Sequence, residues 1–242
     1  YLKMSIILGI NKDHSDSSAC LLINGKLIGA VAEERLGKRI KHDSSFPNNS
    51  IKWLMQLANL KYSDLDIVAV SNNSYSNLLY KFFHSFDFSR LNLIKKLKSK
   101  IFNRSSVKNE IVNLCKINGE DSSNLKFKIY NVEHHLTHIA SAYYLSKFTE
   151  TTAALSYDGS GDAVSIMLAE CKDNKIKVLD RVFLPKSLGH FYSAICNFIG
   201  FDKFGEEYKV MGLSAYGEDK YSEYFNELIG YDSKLIVRQK NI

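Results

Sequence analysis

Short apolar runs, spaced by polar turns, set the first picture of this chain. Ile6 to Ile10 and Ala19 to Ile23 are apolar and β-branched, and each predicts a strand. Asn24-Gly25 follows the second run, a strong hairpin signal, and Lys26 to Ala32 continues as a third strand. Pro47 and Asn48 then open a helix with Ile51, Leu54, Met55, Leu57 and Ala58 on one face. Ile67 to Val70 and Lys126 to Asn131 predict two more strands, separated by a polar, basic and mostly helical stretch over 71–124. His134 to Leu145 predicts a helix, apolar at Leu136, Ile139, Ala140, Ala142 and Tyr143. Thr152 to Tyr157, Ala163 to Glu170 and Lys175 to Phe183 predict a second meander, with a tight turn over 158–162 and a helix from Leu188 to Ile199.

Three strands and a helix thus occur twice, starting near residues 5 and 152. The repeat is one of topology and not of sequence. Alternating apolar strands and helices imply an α/β fold with helices on the sheet faces. The expected division is a first lobe over 4–147 and a second over 148–242. Tyr1-Leu2-Lys3, ahead of Met4, are set aside as an appendage. The second repeat holds fewer elements than the first, so a two-lobed fold is expected to need a further strand-helix-strand.

Composition narrows the classes. The hydrophobic share of 45% suits a packed core. No apolar run reaches the length of a membrane span, and no secretory signal is evident. Cys20, Cys115, Cys171 and Cys196 are scattered without a CxxC pair, which fits reduced thiols and a cytoplasmic location better than disulfides or a zinc-thiolate site. The net charge of +6 owes much to Lys95, Lys96, Lys98, Lys100 and Arg104. Such a run reads first as a solvated face, then as a mouth that steers anions. No nucleic-acid-binding signature accompanies it.

The chemistry concentrates in four segments. His134 and His138 are one helical turn apart and share a face, whereas His135 points elsewhere. Asp158 closes the next strand, and two histidines with one carboxylate form a set suited to Fe(II), with manganese and zinc as rivals. Asp158-Gly159-Ser160-Gly161-Asp162 offers backbone N–H groups that a phosphate could approach closely, or an ordinary hairpin turn. The first hairpin carries a matching polar loop with His14 as a candidate base, so a nucleotide between the lobes is one reading. Lys41, after Glu33-Glu34-Arg35, is a candidate contact for an anion. Glu206 to Gly217 mixes charged and apolar residues between glycines and has no assignment from composition.

Taken together, these segments resemble the NodU/CmcH-type O-carbamoyltransferases. The resemblance rests on Gly9-Ile10-Asn11 with His14 and Ser17-Ser18-Ala19-Cys20, and on Ala32-Glu33-Glu34-Arg35-Leu36 with Lys41-His42-Asp43 and Phe46-Pro47. It continues in His134 to His138 with Ala140 to Tyr144, Asp158-Gly159, Ser187-Leu188-Gly189, and Tyr208 to Leu213. It implies an actin-like ATPase fold kin to the tRNA threonylcarbamoyl-transferring proteins, and a separate YrdC-like domain that makes carbamoyl adenylate from carbamoyl phosphate and ATP. It implies iron or another divalent metal on His134, His138, Asp158 and a later Asp outside these residues. It further implies His14 as base, Lys41 on the adenylate, and nucleotide contacts from Asp158, Gly159, Ser160, Gly161, Lys209 and Gly212. The register around His14 slips by one residue from the common family pattern.

The expected function is ATP-dependent carbamoyl transfer to a hydroxyl of a small molecule such as a sugar, antibiotic or nodulation factor. These residues alone are expected to be inactive. A non-catalytic ATP-binding or regulatory domain and threonylcarbamoyl transfer to tRNA are the alternatives. Expected partners are carbamoyl phosphate, ATP and the acceptor, with a second copy of the chain as a further option, and with neither membrane nor nucleic acid.

Overall fold

A computed structural model describes residues 5–13, 15–37, 41–73, 75–84, 107–203, 205–231 and 237–239. The chain divides into two compact units, residues 1–133 and 134–242.

The first unit opens with β1 (Ile6–Asn11), β2 (Ser18–Ile23) and β3 (Lys26–Ala32) in an antiparallel meander. Asn24 and Gly25 both take positive φ, 52° and 76°, the left-handed pair that a two-residue hairpin of matching twist requires. Ile6, Leu8 and Ile10 are buried on alternate positions of β1, so one face of this sheet is core. The short α1 (Glu33–Leu36) and then α2 (Asn48–Leu57) follow. Ile51, Leu54 and Met55 of α2 are buried, but Leu57 at the end of the expected apolar face is exposed. β4 (Ile67–Val70) joins β1 in parallel, and β5 (Lys128–Asn131) joins β4 in parallel, giving the order β3-β2-β1-β4-β5.

Between β4 and β5 lie α3 (Leu78–His84) and α4 (Val107–Ile117). Ile111, Leu114 and Cys115 of α4 complete the core. The basic cluster at Lys95 to Arg104 lies outside the described residues.

Glu33 is the main polar group inside this unit. It is 2% exposed, and its carboxylate accepts hydrogen bonds from Asn49 N, Asn49 Nδ2, Ser50 N and Ser50 Oγ at 2.7–3.0 Å. Those donors include orphan amides of the first turn of α2. One buried carboxylate therefore caps that helix, and its own charge is fully hydrogen-bonded.

The second unit begins with α5 (His134–Leu145), followed by the antiparallel β6 (Thr152–Gly161), β7 (Val164–Lys172) and β8 (Lys175–Phe183). Val164, Met167, Ala169 and Cys171 of β7 pack with Ile139 and Tyr143 of α5. β7 is thus buried for most of its length, as the central strand of three. α6 (Leu188–Phe198), α7 (Glu207–Leu213) and α8 (Ser222–Leu228) come next, then the short pair β9 (Ile229–Tyr231) and β10 (Val237–Gln239). The last two strands had no sequence signal. The α/β class and the repeated meander are both present.

One expectation changes here. Residues 158–162 are not a turn between strands. β6 runs on to Gly161, and only Asp162 and Ala163 turn, with φ of 52° and 73°. Pairing with β7 slips between Tyr157 and Gly161, so Asp158, Gly159 and Ser160 form a bulge released from the ladder. A bulge of this kind re-aims side chains at a strand end. No helix among the described residues is long and apolar enough to cross a membrane.

Candidate metal centre

His134 and His138 project from the first turns of α5 toward Asp158 on the β6 bulge. His134 Nε2 lies 2.8 Å from Asp158 Oδ2, and His138 Nε2 lies 3.0 Å from His134 Nε2 and 3.7 Å from Asp158 Oδ2. Bonds of about 2.1 Å to one ion place neighbouring donors about 3.0 Å apart at right angles and about 3.4 Å at a tetrahedral angle. The observed spacings bracket those values, so the three donors fit a single divalent cation. Among the described residues these are also the group whose ligand atoms cluster. His134 is buried while the His138 side chain is 50% exposed, so the site is walled on one side and open on the other. The open side leaves room for further ligands.

Electrostatics favour the same reading. Hydrogen bonds from His134 and His138 hold the Asp158 carboxyl far below the usual carboxylate range, against the effect of burial. Asp158 Oδ1 also accepts from Gly159 N, which fixes the carboxylate plane. An ionised carboxylate beside two facing imidazole nitrogens is a ready cation site.

His135 takes no part in the donor set. It is fully buried, with Nδ1 2.8 Å from Ser156 Oγ and Nε2 2.9 Å from the Val164 carbonyl oxygen. Burial pushes its pKa down.

The glycines act sterically. A Cβ on Gly161 would sit 2.0 Å from His134 Cδ2 and 2.2 Å from Cγ, so this position must stay bare for the ring to fit. A Cβ on Gly189 would come within 2.8 Å of Gly159 N and Cα, because the start of α6 lies directly against the bulge. Ser187 Oγ donates to the Gly159 carbonyl oxygen at 2.7 Å and accepts from His190 N at 3.1 Å, capping α6. The exposed His190 ring is 3.3 Å from where a Gly159 Cβ would be. Sequence reasoning singled out Ser187-Leu188-Gly189 and named Asp162 only as the end of a turn, and it missed His190 and Ser156. Asp162 Oδ2 accepts from His134 N and holds the first residue of α5. Asp162 comes 28 residues after that helix start, so no local spacing could have marked it as the cap.

Two of the other expected site residues, Lys209 and Gly212, belong to the same unit. Lys209 is ion-paired to Glu206 at 2.6 Å on α7, and nothing lies within 4 Å of a Cβ built on Gly212. Lys41 is exposed and belongs to the first unit, while His14 lies outside the described residues. The turn beside Lys41 grips the β1–β2 loop. His42 Nδ1 is 2.8 Å from Asp16 Oδ1, His42 N donates to Glu34 Oε2 at 3.1 Å, and Ser17 N and Oγ donate to the Asp43 carbonyl oxygen.

The family profile described as the carbamoyltransferase N-terminus matches residues 6–238. The chain belongs to the carbamoyltransferase N-terminus family. Sll1178 of Synechocystis is 32% identical over 225 residues, covering 90% of this chain and 36% of that protein. The nodulation protein NolNO of Sinorhizobium fredii is 33% identical over 204 residues, covering 84% of this chain and 28% of its own. MJ1051 of Methanocaldococcus jannaschii is 29% identical, covering 98% and 42%. This family member therefore spans about 28–42% of the length of these relatives. The solved structure of YeaZ from Pseudomonas aeruginosa is similar with a TM-score of 0.40 and 14% identity, covering 75% of this chain and 67% of that one.

Proposed function

We propose that the chain serves ATP-dependent carbamoyl transfer from carbamoyl phosphate, through carbamoyl adenylate, to a hydroxyl of a small-molecule acceptor. The observation that carries this is the convergence of His134, His138 and Asp158 in a chain of this family. A divalent metal bound there, iron by resemblance, supplies Lewis acidity toward an acyl or phosphoryl oxygen.

The chain's own residues do the rest. Asp158 and the two imidazoles present an anionic, half-open corner that would hold a divalent cation. The Asp158-Gly159-Ser160 bulge is freed from pairing with β7, and its Gly159 N–H, turned to Asp158 in this structure, would have to turn outward to meet a nucleotide phosphate. Lys41 neutralises the adenylate. His14 takes the acceptor's hydroxyl proton as the new C–O bond forms and AMP leaves.

The test is AMP release and acceptor carbamoylation with carbamoyl phosphate and ATP, together with metal content. His134→Ala with His138→Ala is expected to abolish both metal retention and transfer. Unchanged metal content and transfer in that double variant would refute the assignment. Metal and ATP binding with no AMP formed would instead favour the non-catalytic reading.

A further inference from the structure

His135 sits between two candidate ligands in sequence, yet it faces the sheet. One residue along a helix is a rotation of about 100°. A group that fixes where position 135 points therefore fixes where positions 134 and 138 point. His135 is gripped at both ring nitrogens, by Ser156 Oγ at 2.8 Å and the Val164 carbonyl oxygen at 2.9 Å. A carbonyl only accepts, so Nε2 carries a proton and donates, which leaves Nδ1 to accept from the Ser156 hydroxyl.

The partners are informative. Ser156 is two residues before Asp158 on β6, so their side chains start from the same face, about 7 Å apart along the strand. Ser156–His135 and Asp158–His134 are thus successive ties between the same helix and the same strand. Val164, across the hairpin on β7, pairs with Gly161, the glycine that makes room for the His134 ring. The imidazole of His135 therefore spans both strands that shape the metal corner, while Asp162 holds the helix start.

We propose that His135 is a positioning residue. By bridging Ser156 and Val164 it sets the rotation of α5 so that His134 and His138 meet Asp158 at metal-binding distance. This rests on the metal reading of the previous subsection.

The experiment is a Co2+ titration of the protein, followed by the visible absorption of the bound ion, with thermal unfolding measured on each variant. Ser156→Ala is expected to weaken Co2+ binding about 10-fold and His135→Ala up to about 100-fold, the range for groups that orient a metal ligand. His135→Gln, whose amide can donate to Val164 and accept from Ser156, is expected to recover most of the affinity. The altered band shape of the Ser156→Ala complex would report changed ligand geometry, which a merely structural role leaves alone. Since His135→Ala can fail to fold, Ser156→Ala decides on its own. Binding by folded Ser156→Ala within twofold of wild type, with the same spectrum, overturns the proposal and leaves the metal site standing. A wild-type protein that binds no Co2+ overturns the metal reading and this inference with it.

Discussion

Gly161→Ala gives the sharpest test of the site, because the clash can be read off directly. The added methyl would stand 2.0 Å from His134 Cδ2, 2.2 Å from Cγ and 2.6 Å from Cβ. Carbon atoms rest about 3.5–4.0 Å apart, so ring or strand must retreat by about 1.5 Å. A metal site tolerates about 0.2 Å. The His134 ring is held by Asp158 on one side and the start of α5 on the other, so withdrawal removes it as a ligand.

Loss of one donor in three is expected to lower metal affinity at least about 100-fold, or about 2.7 kcal/mol. Overpacking should cost about 1–3 kcal/mol of stability besides. Gly159→Ala is the control, since its methyl would meet the exposed His190 ring at 3.3 Å, and that side chain can swing away. The assay is Mn2+ or Co2+ titration of wild type and both variants, with Tm from calorimetry. A Gly161→Ala protein that binds metal as tightly as wild type would show that His134 is not where the reasoning puts it.

Two further predictions concern the first unit. Glu33→Ala removes the acceptor for four hydrogen bonds at the start of α2, and should destabilise by about 3 kcal/mol or more in urea unfolding, with Glu33→Gln recovering only part. An unchanged midpoint would mean that water satisfies those donors. Tyr62 is buried, and burial, then the Glu120 charge, pushes its phenol up to about 12. Its folded pKa lies above the unfolded value near 10, so the neutral phenol contributes stability below pH 10 that is lost as the pH rises toward 12. The loss should reach about 2 kcal/mol and be flattened in Tyr62→Phe. An identical alkaline fall in both proteins would assign it to other groups.

The sequence carried the strands well wherever an apolar run was bounded by a definite turn signal. Ile67 to Val70, Lys26 to Ala32 and Lys175 to Phe183 are strands with those bounds. It carried the metal candidates because helical spacing and a strand-end carboxylate are local patterns. What it could not carry depends on tertiary pairing. The Asp158-Gly159-Ser160 bulge exists because the ladder with β7 slips a register, and two glycines in a row of polar residues read equally well as a turn. His135 looked idle because its partners, Ser156 and Val164, are 21 and 29 residues away. His190 reaches the bulge only through the docking of α6. Lys209 has a neighbouring carboxylate, Glu206, as its partner, a local pair that spacing alone could have suggested.

The metal corner has a consequence for how it is filled. The three candidate ligands and the Ser156 and Val164 ties of His135 come from one short stretch of 31 consecutive residues, His134 to Val164, within one unit. Closing so short a span has a small entropic cost, so an ion captured there would cinch α5 to the β6–β7 hairpin without long-range assembly. Each tenfold rise in free ion above the dissociation constant would then add about 1.4 kcal/mol to the folded state of that unit. The hairpin's resistance to proteolysis would thereby become a gauge of metal supply.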